Sequence, residues 1–413
     1  MPTVKIINAA DAKAIARLVA APDRRDERVV GAVAAIVKDV RRRGDAAVRA
    51  YARQLDGLDG PIEISQREID EGVRATPTNV RRALKTAAAN IRKVARRQVP
   101  KGVTITVNPG LVIEQTVTPL RRVGCYVPAG RYPLPSSLLM TAIPARVAGV
   151  AEIVAVCSRP APVVLAAARE AGVDRLFRIG GAHAVAALAY GTATVPRVDK
   201  IVGPGSSYVA EAKALVQRDC AIDFYAGPSE IVIVSDLASP RWIALDMLAQ
   251  AEHDVEARAI FITTNAPLAR DVQRMLDARM PVSGPARQAL SRTGAIVVAR
   301  SRTEAMAIAD GLTPEHLVCD DERTARAIRC GTAFVGAWSA QVAGDYATGS
   351  NHVLPTAGAA RFRGGLSAAD FVRVSSVQRL TAGALRRIAP AVIALAEAEG
   401  LTAHAESIRE RVR

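Results

Sequence analysis

The sequence is poor in the residue types that most often carry metal and redox chemistry. Its 413 residues include five histidines and five cysteines, and aromatic residues make up 4% of the chain. The cysteines are widely spaced and form no C-x-x-C pair, which argues against an all-cysteine zinc site and against a disulfide framework. A cytoplasmic location is therefore expected, and each histidine becomes a candidate for a functional role.

Long apolar runs are also absent. Lys5, Asp11 and Lys13 interrupt the segment where a secretory signal would need an apolar core, and no stretch approaches the roughly 18 apolar residues of a membrane span. Half of the residues are nevertheless hydrophobic and 23% are charged, which excludes a disordered polyelectrolyte. We expect a soluble, unprocessed protein with no membrane partner and with enough apolar material for one large domain or for two or three compact ones.

Basic residues outnumber acidic ones by 55 to 40, which gives a formal net charge of +15. Most are scattered, and the densest cluster, between residues 81 and 101, repeats at helical spacing without an aromatic residue among its members. Because bases commonly stack on aromatic side chains, this pattern favours a solvated helix face over an RNA site. We expect no nucleic-acid partner, although a nucleic-acid-binding protein remains an alternative class.

The hydrophobic pattern changes twice along the chain. From residue 24 to about 99 apolar residues recur at helical spacing, and near residue 103 the period becomes two, in Val103, Ile105 and Val107. From residue 123 onward, short apolar runs alternate with amphipathic stretches, which is typical of βαβ units. The expected strands cover residues 124–127, 152–156, 176–179, 200–202, 230–234, 259–263, 295–298 and 333–335.

These patterns predict an α/β protein with two Rossmann-like parallel-sheet domains and helical extensions at both termini. The expected division is a helical segment over residues 1–22, a first α/β domain over residues 23–122 and 231–362, a second α/β domain over residues 123–230, and a C-terminal helical extension over residues 363–413. No internal repeat and no low-complexity linker is present.

Two glycine turns have the character of phosphate-binding loops. One follows the expected strand that ends at residue 179 and contains His183, and the other begins at Gly203 and contains Gly205 and Ser206. Glycines between a strand and a helix expose backbone N–H groups that suit a pyrophosphate. Neither turn completes G-x-G-x-x-G, because Tyr208 stands where the second turn would need its third glycine. Taken alone, each turn is an ordinary tight connection.

Two segments combine a histidine with an amide or an acid at a spacing that suits chemistry. Gln250 and His253 lie three residues apart in a stretch of helical period, so both side chains would share one helix face at metal-ligand spacing. Glu315 and His316 are adjacent in a proline-marked turn, where neither is needed for packing. General acid–base catalysis uses such a pair.

Two further acid and histidine pairs follow. Asp345 and His352 share a loop bounded by glycines, and loops of this composition often carry function. Glu399 and His404 lie near the C-terminus. Taken alone, this pair would be interpreted as part of a solvated tail without a function. A metal-dependent hydrolase is an alternative interpretation of some of these residues, but it leaves the two glycine turns unexplained.

Taken in order, these segments resemble the histidinol dehydrogenase family over nearly the whole chain. The resemblance rests on QAEH at residues 250–253, PEHL at 314–317, GDY at 344–346 with NHVLPT at 351–356, and residues 399–404. It also includes GCYVP at residues 124–128, PSS at 135–137, AIPA at 142–145, Asp223, and AGPSE at 226–230.

The resemblance implies a homodimeric zinc enzyme that oxidises L-histidinol to L-histidine in two steps with two NAD molecules. Metal ligation carries over to Gln250, His253, Asp345 and His404, a mixed nitrogen and oxygen set that manganese or cobalt would also accept. His404 and Glu399 would reach the site from the partner subunit. The metal and catalytic residues would belong to the first α/β domain, and the second would bind NAD.

The resemblance also implies roles in the reaction. His316 matches the family's base, and Glu315 matches the residue that activates water in the second oxidation. The substrate-contacting positions comprise the metal ligands and the base together with Ser136, Ser229, His352 and Glu399. Glu399 would pair with the substrate amine.

The positions implied for NAD contacts include two departures from the family. Tyr126 is present as usual, but His183 replaces a glutamine and Ser206 replaces an asparagine; both side chains retain hydrogen-bonding capacity. These departures leave an alternative open, a paralogue with the same metal site that oxidises another small polar alcohol such as sulfopropanediol. Glu399 argues against it, because a sulfonated diol has no amine and its anion would be repelled.

Overall fold

The computed structural model describes residues 4–20, 26–129, 132–225 and 227–413. It contains two parallel sheets flanked by helices, and a small antiparallel sheet. The prediction of an α/β protein built on parallel sheets is therefore confirmed. The expected boundary between residues 22 and 23 lies outside the described residues.

The strands of the described residues are short, and most lie in the two parallel sheets. They are β1 (Lys5–Asn8), β2 (Val103–Asn108), β3 (Leu111–Pro119), β4 (Arg122–Tyr126), β5 (Glu152–Val156), β6 (Arg175–Phe177), β7 (Lys200–Val202), β8 (Ala221–Ile222), β9 (Glu230–Val234), β10 (Arg258–Thr263), β11 (Ala295–Val298), β12 (His316–Cys319), β13 (Thr332–Val335) and β14 (Val372–Leu380).

The helices of the same residues fall into an N-terminal group, crossover helices between strands, and a C-terminal pair. They are α1 (Ala12–Val19), α2 (Glu27–Arg43), α3 (Asp45–Tyr51), α4 (Gln66–Ala75), α5 (Thr78–Gln98), α6 (Pro135–Val147), α7 (Pro162–Ala171), α8 (Gly181–Tyr190), α9 (Ser207–Val216), α10 (Pro240–Ala251), α11 (Ala266–Arg279), α12 (Pro285–Thr293), α13 (Arg302–Leu312), α14 (Glu322–Ala327), α15 (Gln341–Tyr346), α16 (Ala382–Ala398) and α17 (Thr402–Val412). A π-helical turn, Ala52–Asp56, follows α3, and two 3₁₀ turns, Ala359–Arg361 and Ala368–Phe371, precede β14.

The first sheet has six parallel strands in the order β1-β11-β10-β9-β12-β13. Its central strand β9 is buried at every residue, from Glu230 to Val234. Helices cover both faces of such a sheet, so its strands are continuous apolar runs rather than alternating ones. The strand order changes direction between β9 and β12, which makes this the topological switch point.

The second sheet has five parallel strands in the order β6-β5-β4-β7-β8, with α6, α7, α8 and α9 as successive connections. Its strand order also runs outward from one strand, β4, so its switch point lies between β4 and β7. Gly203 follows β7 with φ +115°, and a Cβ there would lie 2.2 Å from the carbonyl oxygen of Tyr126. Only glycine fits at this contact between the two strand ends.

The N-terminal segment, residues 1–22, was expected to be helical, and this is wrong for its first part. Residues Lys5–Asn8 form β1, which pairs in parallel with β11 at the edge of the first sheet. Four residues are too few to display a strand period, and the strand is defined by its neighbour rather than by its own sequence. The helix α1 follows it as expected.

The C-terminal region, residues 363–413, was expected to be only helical, and this is also wrong. Residues Val372–Leu380 form β14, which pairs antiparallel with β3, while β2 pairs with the other edge of β3. Most of β14 is solvent-exposed and polar, so it lacks the apolar run that marks a strand in a sequence. The helices α16 and α17 follow β14, so the expected helical character is confirmed for the last part of the chain.

The grouping of residues 23–122 with residues 231–362 does not match the packing. Val33, Val37 and Val40 of α2 share a hydrophobic core with helices α8 and α9 of the second sheet. Leu84, Ala88 and Ile91 of α5 likewise share a core with α6 and α7. Helical periodicity shows which face of a helix is buried but not which sheet covers it, and these helices lie against the second sheet.

All five cysteines are free, which confirms that they form no disulfide framework. Burial raises the pKa of the Cys125 and Cys220 thiols to about 12, so these side chains are not reactive thiolates. Among the described residues, no helix is both long and apolar enough to cross a membrane.

Candidate active site

The candidate site lies where the two parallel sheets meet. A short connection leads from the carboxyl end of β8 to the amino end of β9, which brings that end of the first sheet beside the second sheet. From the second sheet, α6 presents Ser137, whose Oγ lies 3.5 Å from Nε2 of His352. The predicted catalytic residues are grouped at the amino ends of β9 and β12.

Glu315 is a buried carboxyl group at the amino end of β12. Its Oε2 accepts hydrogen bonds from Oγ of Ser229 at 2.5 Å and from the backbone N–H of Glu230 at 2.9 Å. Burial raises the pKa of Glu315 to about 7, although these two hydrogen bonds act in the opposite direction. The carboxyl group therefore exchanges its proton near neutral pH, as an acid–base catalyst requires.

His316 is the first residue of strand β12. The sequence-based prediction that it lies in a turn is therefore wrong. Its Nδ1 lies 3.2 Å from the carbonyl oxygen of Glu230, and its Nε2 lies 3.8 Å from Oδ1 of Asp345. The tautomer with hydrogen on Nδ1 satisfies the carbonyl and leaves Nε2 free to accept a proton. Burial lowers the pKa of His316, which favours the neutral base.

Gln250 is fully buried in the last turn of α10 and has one unpartnered atom. Its Nε2 donates to Oγ of Ser229 at 2.6 Å, and Ser229 in turn donates to Glu315. Its Oε1 is buried and has no hydrogen-bond partner among the described residues. A buried, unsatisfied amide oxygen costs free energy unless another group binds it, so Oε1 is suited to ligate a cation.

His253 lies just beyond the end of α10, not on the helix face that its spacing predicts. Its Nδ1 lies 3.2 Å from the carbonyl oxygens of Ala249 and Gln250. With the Nδ1 hydrogen directed at these carbonyls, Nε2 carries the free lone pair. Orientation of one imidazole nitrogen by a backbone carbonyl is typical of metal-ligating histidines.

Asp345 belongs to the short helix α15 rather than to a loop. Its Oδ2 accepts a hydrogen bond from Nε2 of Gln341 at 2.8 Å, while Oδ1 faces His316. An amide oxygen, an imidazole nitrogen and a carboxylate form a donor set that fits zinc or manganese. Within the described part of this single chain, no three His, Cys, Asp or Glu side chains are arranged to hold a metal, so His404 does not complete the set here.

His352 shows a contact that sequence reasoning missed. Its Nδ1 lies 2.7 Å from the backbone carbonyl oxygen of Asp345, and its Nε2 lies 3.5 Å from Oγ of Ser137. Ser136 is half-buried one residue earlier in α6. The predicted contact of Ser136 with substrate stays a prediction.

Glu399 and His404 are exposed on the C-terminal arm, which comprises β14, α16 and α17. Glu399 ends α16, and His404 lies in the first turn of α17. Neither belongs to the group around Glu315 within one chain. Their predicted roles therefore require a second chain and are taken up below.

The turn after β6 is organised by Asp56, which sequence reasoning missed. Oδ2 of Asp56 lies 2.9 Å from Nε2 of His183 and accepts from the backbone N–H of Gly180 at 3.1 Å. His183 is fully buried, so its ring has no exposed surface to offer NAD in this conformation. Oη of Tyr126 accepts from the N–H of Gly181 at 3.0 Å. The predicted NAD contact of His183 stays a prediction.

The second glycine turn is held by a buried ion pair. Lys213 and Asp223 are paired and almost completely buried. Nζ of Lys213 donates to the carbonyl oxygen of Gly203 at 3.0 Å, and Oδ2 of Asp223 accepts from the N–H of Gly203 at 2.7 Å. Ser206 is exposed at the start of α9, where its side chain is accessible to a ligand. The pair thus fixes the turn between the ends of β4 and β7.

The change Lys213→Met is expected to lower the free energy of unfolding by about 3–5 kcal/mol, because it leaves the Asp223 carboxylate buried without its partner. Urea unfolding measures this loss. The exposed Lys38, changed to Met in the same way, is the matched control and should stay within about 0.5 kcal/mol of the unchanged protein. Equal unfolding midpoints for the two variants would contradict the role of the pair.

The switch point of the first sheet is filled by hydrogen-bonded side chains. Oγ of Ser235 donates to Asp320 at 2.5 Å, and Oγ1 of Thr263 donates to Asp236 at 2.6 Å. These bonds leave a space of about 20 Å³ between the carboxyl ends of β9 and β12. That space is of the size of a single water molecule.

The fold and the site together define an α/β enzyme with a buried acid–base pair beside a candidate cation site. The histidinol dehydrogenase family model matches residues 19–412. The chain belongs to the histidinol dehydrogenase family.

Relatives and a solved structure agree over the full length. Histidinol dehydrogenase from Methanothermobacter thermautotrophicus is 45% identical over 400 residues, covering 93% of this chain and 94% of the relative. The enzyme of that name from Rhizobium meliloti is 44% identical over 401 residues, covering 94% and 92%. The crystal structure of histidinol dehydrogenase from Elizabethkingia anophelis has a TM-score of 0.94 at 30% identity and covers 100% of this chain and 98% of that one.

Proposed function

We propose that this chain oxidises L-histidinol to L-histidine in two NAD-linked steps, in the cytoplasm. The observation that carries the proposal is the grouping of an acid–base pair with candidate metal ligands. Ser229 links Gln250 to Glu315 by hydrogen bonds, and Nε2 of His316 faces Oδ1 of Asp345 at 3.8 Å. An acid–base pair alone suits many reactions. The same pair beside a candidate cation site, in a member of this family, favours oxidation of an alcohol.

The cation would be zinc, or manganese or cobalt, and its ligands would be Gln250, His253 and Asp345 from one chain and His404 from the partner. A divalent cation supplies Lewis-acid stabilisation of negative charge that develops on the substrate oxygen. The buried Oε1 of Gln250, which has no partner among the described residues, supports this assignment, as does the orientation of the His253 ring through Nδ1.

In the first oxidation, Nε2 of His316 accepts the hydroxyl proton of the substrate. A hydride leaves the same carbon for NAD, so that the alcohol loses two electrons and becomes the aldehyde. Donation of the Nδ1 hydrogen to the carbonyl of Glu230 holds the ring in the tautomer that this step needs. His352 and Ser229 lie where they would orient the substrate.

In the second oxidation, the carboxylate of Glu315 accepts a proton from water as the water adds to the aldehyde carbon. His316 would by then have released its first proton to solvent. It would accept the remaining hydroxyl proton of the hydrate as a hydride leaves the same carbon, for which a second NAD would be the acceptor, and the carboxylate product would result. Ser229 and the N–H of Glu230 hold Glu315 in place for this step. One buried acid–base pair thus serves two chemically distinct oxidations.

NAD would lie at the switch point of the second sheet, where Tyr126, Gly203 and Ser206 meet. The N–H groups of the glycine turns and the start of α9 suit a pyrophosphate. The small space at the switch point of the first sheet, about 20 Å³, supports the same location. His183 would act on this site indirectly, through its bond to Asp56.

The active protein would be a homodimer whose C-terminal arms are exchanged between protomers. Val103, Ile105 and Val107 of β2 and Val374 of β14 are between 42% and 57% exposed. Exposed apolar surface of this kind is typical of a protein–protein interface. A second copy that covers it would also place His404 and Glu399 near the partner's Gln250, although neither reaches the site within one chain.

The substrate is tested by supplying the zinc-loaded protein with NAD and either L-histidinol or sulfopropanediol. We expect turnover of histidinol, because Glu399 offers a carboxylate to an amine and repels a sulfonate. Activity on the sulfonate alone would instead favour the paralogue. Replacing Glu399 by Gln should weaken histidinol binding, measured as a higher KM, by about tenfold or more.

A further inference from the structure

Each of the three candidate cation ligands of one chain is held through one of its two polar atoms. Nε2 of Gln250 donates to a serine hydroxyl, and Nδ1 of His253 lies 3.2 Å from two backbone carbonyl oxygens. For Asp345 the holding group is Gln341, whose Nε2 donates to Oδ2 of Asp345 at 2.8 Å. Oδ1 of Asp345 is left facing Nε2 of His316. The reaction steps proposed above give Gln341 no role.

The position of Gln341 is fixed by the packing of α15. Gln341 and Asp345 are one turn apart in this helix, so their side chains lie on the same face. The helix lies tightly against β13, because a Cβ at Gly344 would be 2.6 Å from Cζ of Phe334. The ring centroid of Phe334 is in turn 6.2 Å from that of His316. Packing thus sets the distance of α15 from the proposed base, and the Gln341 amide sets the direction of the carboxylate.

The contact with Asp345 leaves Gln341 only partly satisfied. An ionised carboxylate only accepts hydrogen bonds, so Nε2 and not Oε1 of Gln341 must face Asp345. Oε1 of this fully buried side chain then has no hydrogen-bond partner among the described residues. A buried polar atom without a partner destabilises a fold. The burial of Gln341 is therefore not explained by stabilisation of α15 alone, which points to a role in the candidate site.

The amide also holds Asp345 without neutralising its charge. The buried carboxylate of Asp223, in contrast, is paired with the ammonium group of Lys213. A cationic partner of that kind would offset the negative charge that attracts a metal ion. Among the described residues no lysine or arginine forms an ion pair with Asp345, and His316, at 3.8 Å, is the proposed neutral base. The carboxylate is thus oriented by a neutral donor and keeps its full charge.

We propose that Gln341 is a positioning residue for the cation, which acts by engaging Oδ2 of Asp345 so that Oδ1 is the atom presented to the metal. The inference rests on the proposed function in taking Asp345 as a cation ligand. Groups that orient the ligands of a metal commonly change its affinity by 10–100-fold when they are removed. The change Gln341→Met removes the donor at nearly constant side-chain length, and it should raise the zinc dissociation constant by about 10–100-fold.

Zinc competition with a chromogenic chelator measures this constant on the full-length protein without any turnover. A second measurement, urea unfolding of the metal-free protein, separates positioning from a structural role. The midpoint of Gln341→Met should be no lower than that of the unchanged protein, because the variant also removes the unsatisfied Oε1. Gln341→Asn keeps an amide that is one methylene shorter, and it should weaken zinc binding in the same way. It replaces Gln341→Met if that variant does not fold.

Gln273→Met is the matched control. Gln273 is half-buried in α11, and its Nε2 donates to the carbonyl oxygen of Val4 at 2.7 Å, beside the edge strand β1. This variant also loses one amide hydrogen bond, but it should keep the zinc dissociation constant of the unchanged protein. The visible absorption of the cobalt-loaded protein, which responds to ligand geometry, should change in Gln341→Met and not in Gln273→Met.

Two results would overturn the positioning role. One is an unchanged zinc dissociation constant in both Gln341→Met and Gln341→Asn. The other is a lower urea midpoint of metal-free Gln341→Met, combined with zinc binding no weaker than that of Gln273→Met. Gln341 would then be a structural residue only.

Asp345→Ala and histidinol turnover separate this inference from the proposed function. Loss of zinc binding in Asp345→Ala, with no change in the Gln341 variants, would overturn the positioning role alone. Weaker zinc binding in Gln341→Met, together with no histidinol turnover by the zinc-loaded unchanged protein, would support the positioning role and contradict the proposed function. Zinc binding that neither Asp345→Ala nor Gln341→Met weakens would overturn both the positioning role and the proposed ligand set.

Discussion

Replacing Glu315 by Gln is expected to preserve the first hydride transfer and to slow the second oxidation by about 10²–10⁴-fold. The amide keeps the volume of the side chain and can still accept hydrogen bonds from Ser229 and from the N–H of Glu230. It cannot accept a proton from water. Since His316 keeps its own bond to the carbonyl of Glu230, the alcohol should still be oxidised, and stopped-flow absorbance should show one rapid equivalent of NADH per site followed by a slow phase.

The surface change Glu322→Gln is the control, because Glu322 is exposed and pairs only with Arg326 among the described residues. It should leave both phases at their original rates. The assignment would be contradicted if Glu315→Gln slowed the first and second phases equally. It would also be contradicted if histidinal, supplied directly, were oxidised by this variant at the original rate.

Mixing two inactive variants is expected to restore activity if the active site is shared between protomers. His316→Ala removes the proposed base from the part of the chain before the C-terminal arm, here called the body, and His404→Ala removes the proposed metal ligand from the arm. In a hybrid dimer, one of the two sites receives an intact body and an intact arm. Random reassociation makes half of the dimers hybrid, so about a quarter of the original activity should return.

The matching control mixes His316→Ala with Glu315→Gln. Both residues lie in the body of the same chain, 3.6 Å apart between Nδ1 and Oε2, so no hybrid site is intact and activity should not rise above that of the separate variants. If activity rose in this control, the recovery could not be explained by exchange of the C-terminal arms, and the test would not support a shared site. Absence of recovery with His404→Ala, despite verified reassociation, would contradict the shared site.

Most of the parallel sheets could be predicted because their strands are apolar runs bounded by turns. Strands β5, β7, β9 and β11 match the expected residues at both ends, and β4, β6, β10 and β13 differ by one or two residues at an end. Strand β12 was not predicted, since its four residues begin with His316 and follow a proline. Strands β1 and β14 were missed because their partners β11 and β3 define them.

The sequence was sufficient to predict which residues belong to the candidate site. It was not sufficient to predict the contacts between them. Family motifs identify Gln250, Glu315 and Asp345, yet they do not show that Ser229 links the first two by hydrogen bonds. Asp56 lies in a π-helical turn far from the glycine turn that it holds, and no local sequence signal marks it. Contacts between distant segments depend on the packing of the sheets, which periodicity does not encode.

The central claim, that one buried acid–base pair carries two successive oxidations, is tested most directly by the yield of NADH at completion. The zinc-loaded protein is incubated with a limiting amount of L-histidinol and excess NAD. NADH, the aldehyde and L-histidine are then quantified. The account predicts two NADH for each histidinol consumed, with L-histidine as the product. A yield of one NADH with accumulation of the aldehyde, or no NADH at all, would contradict it.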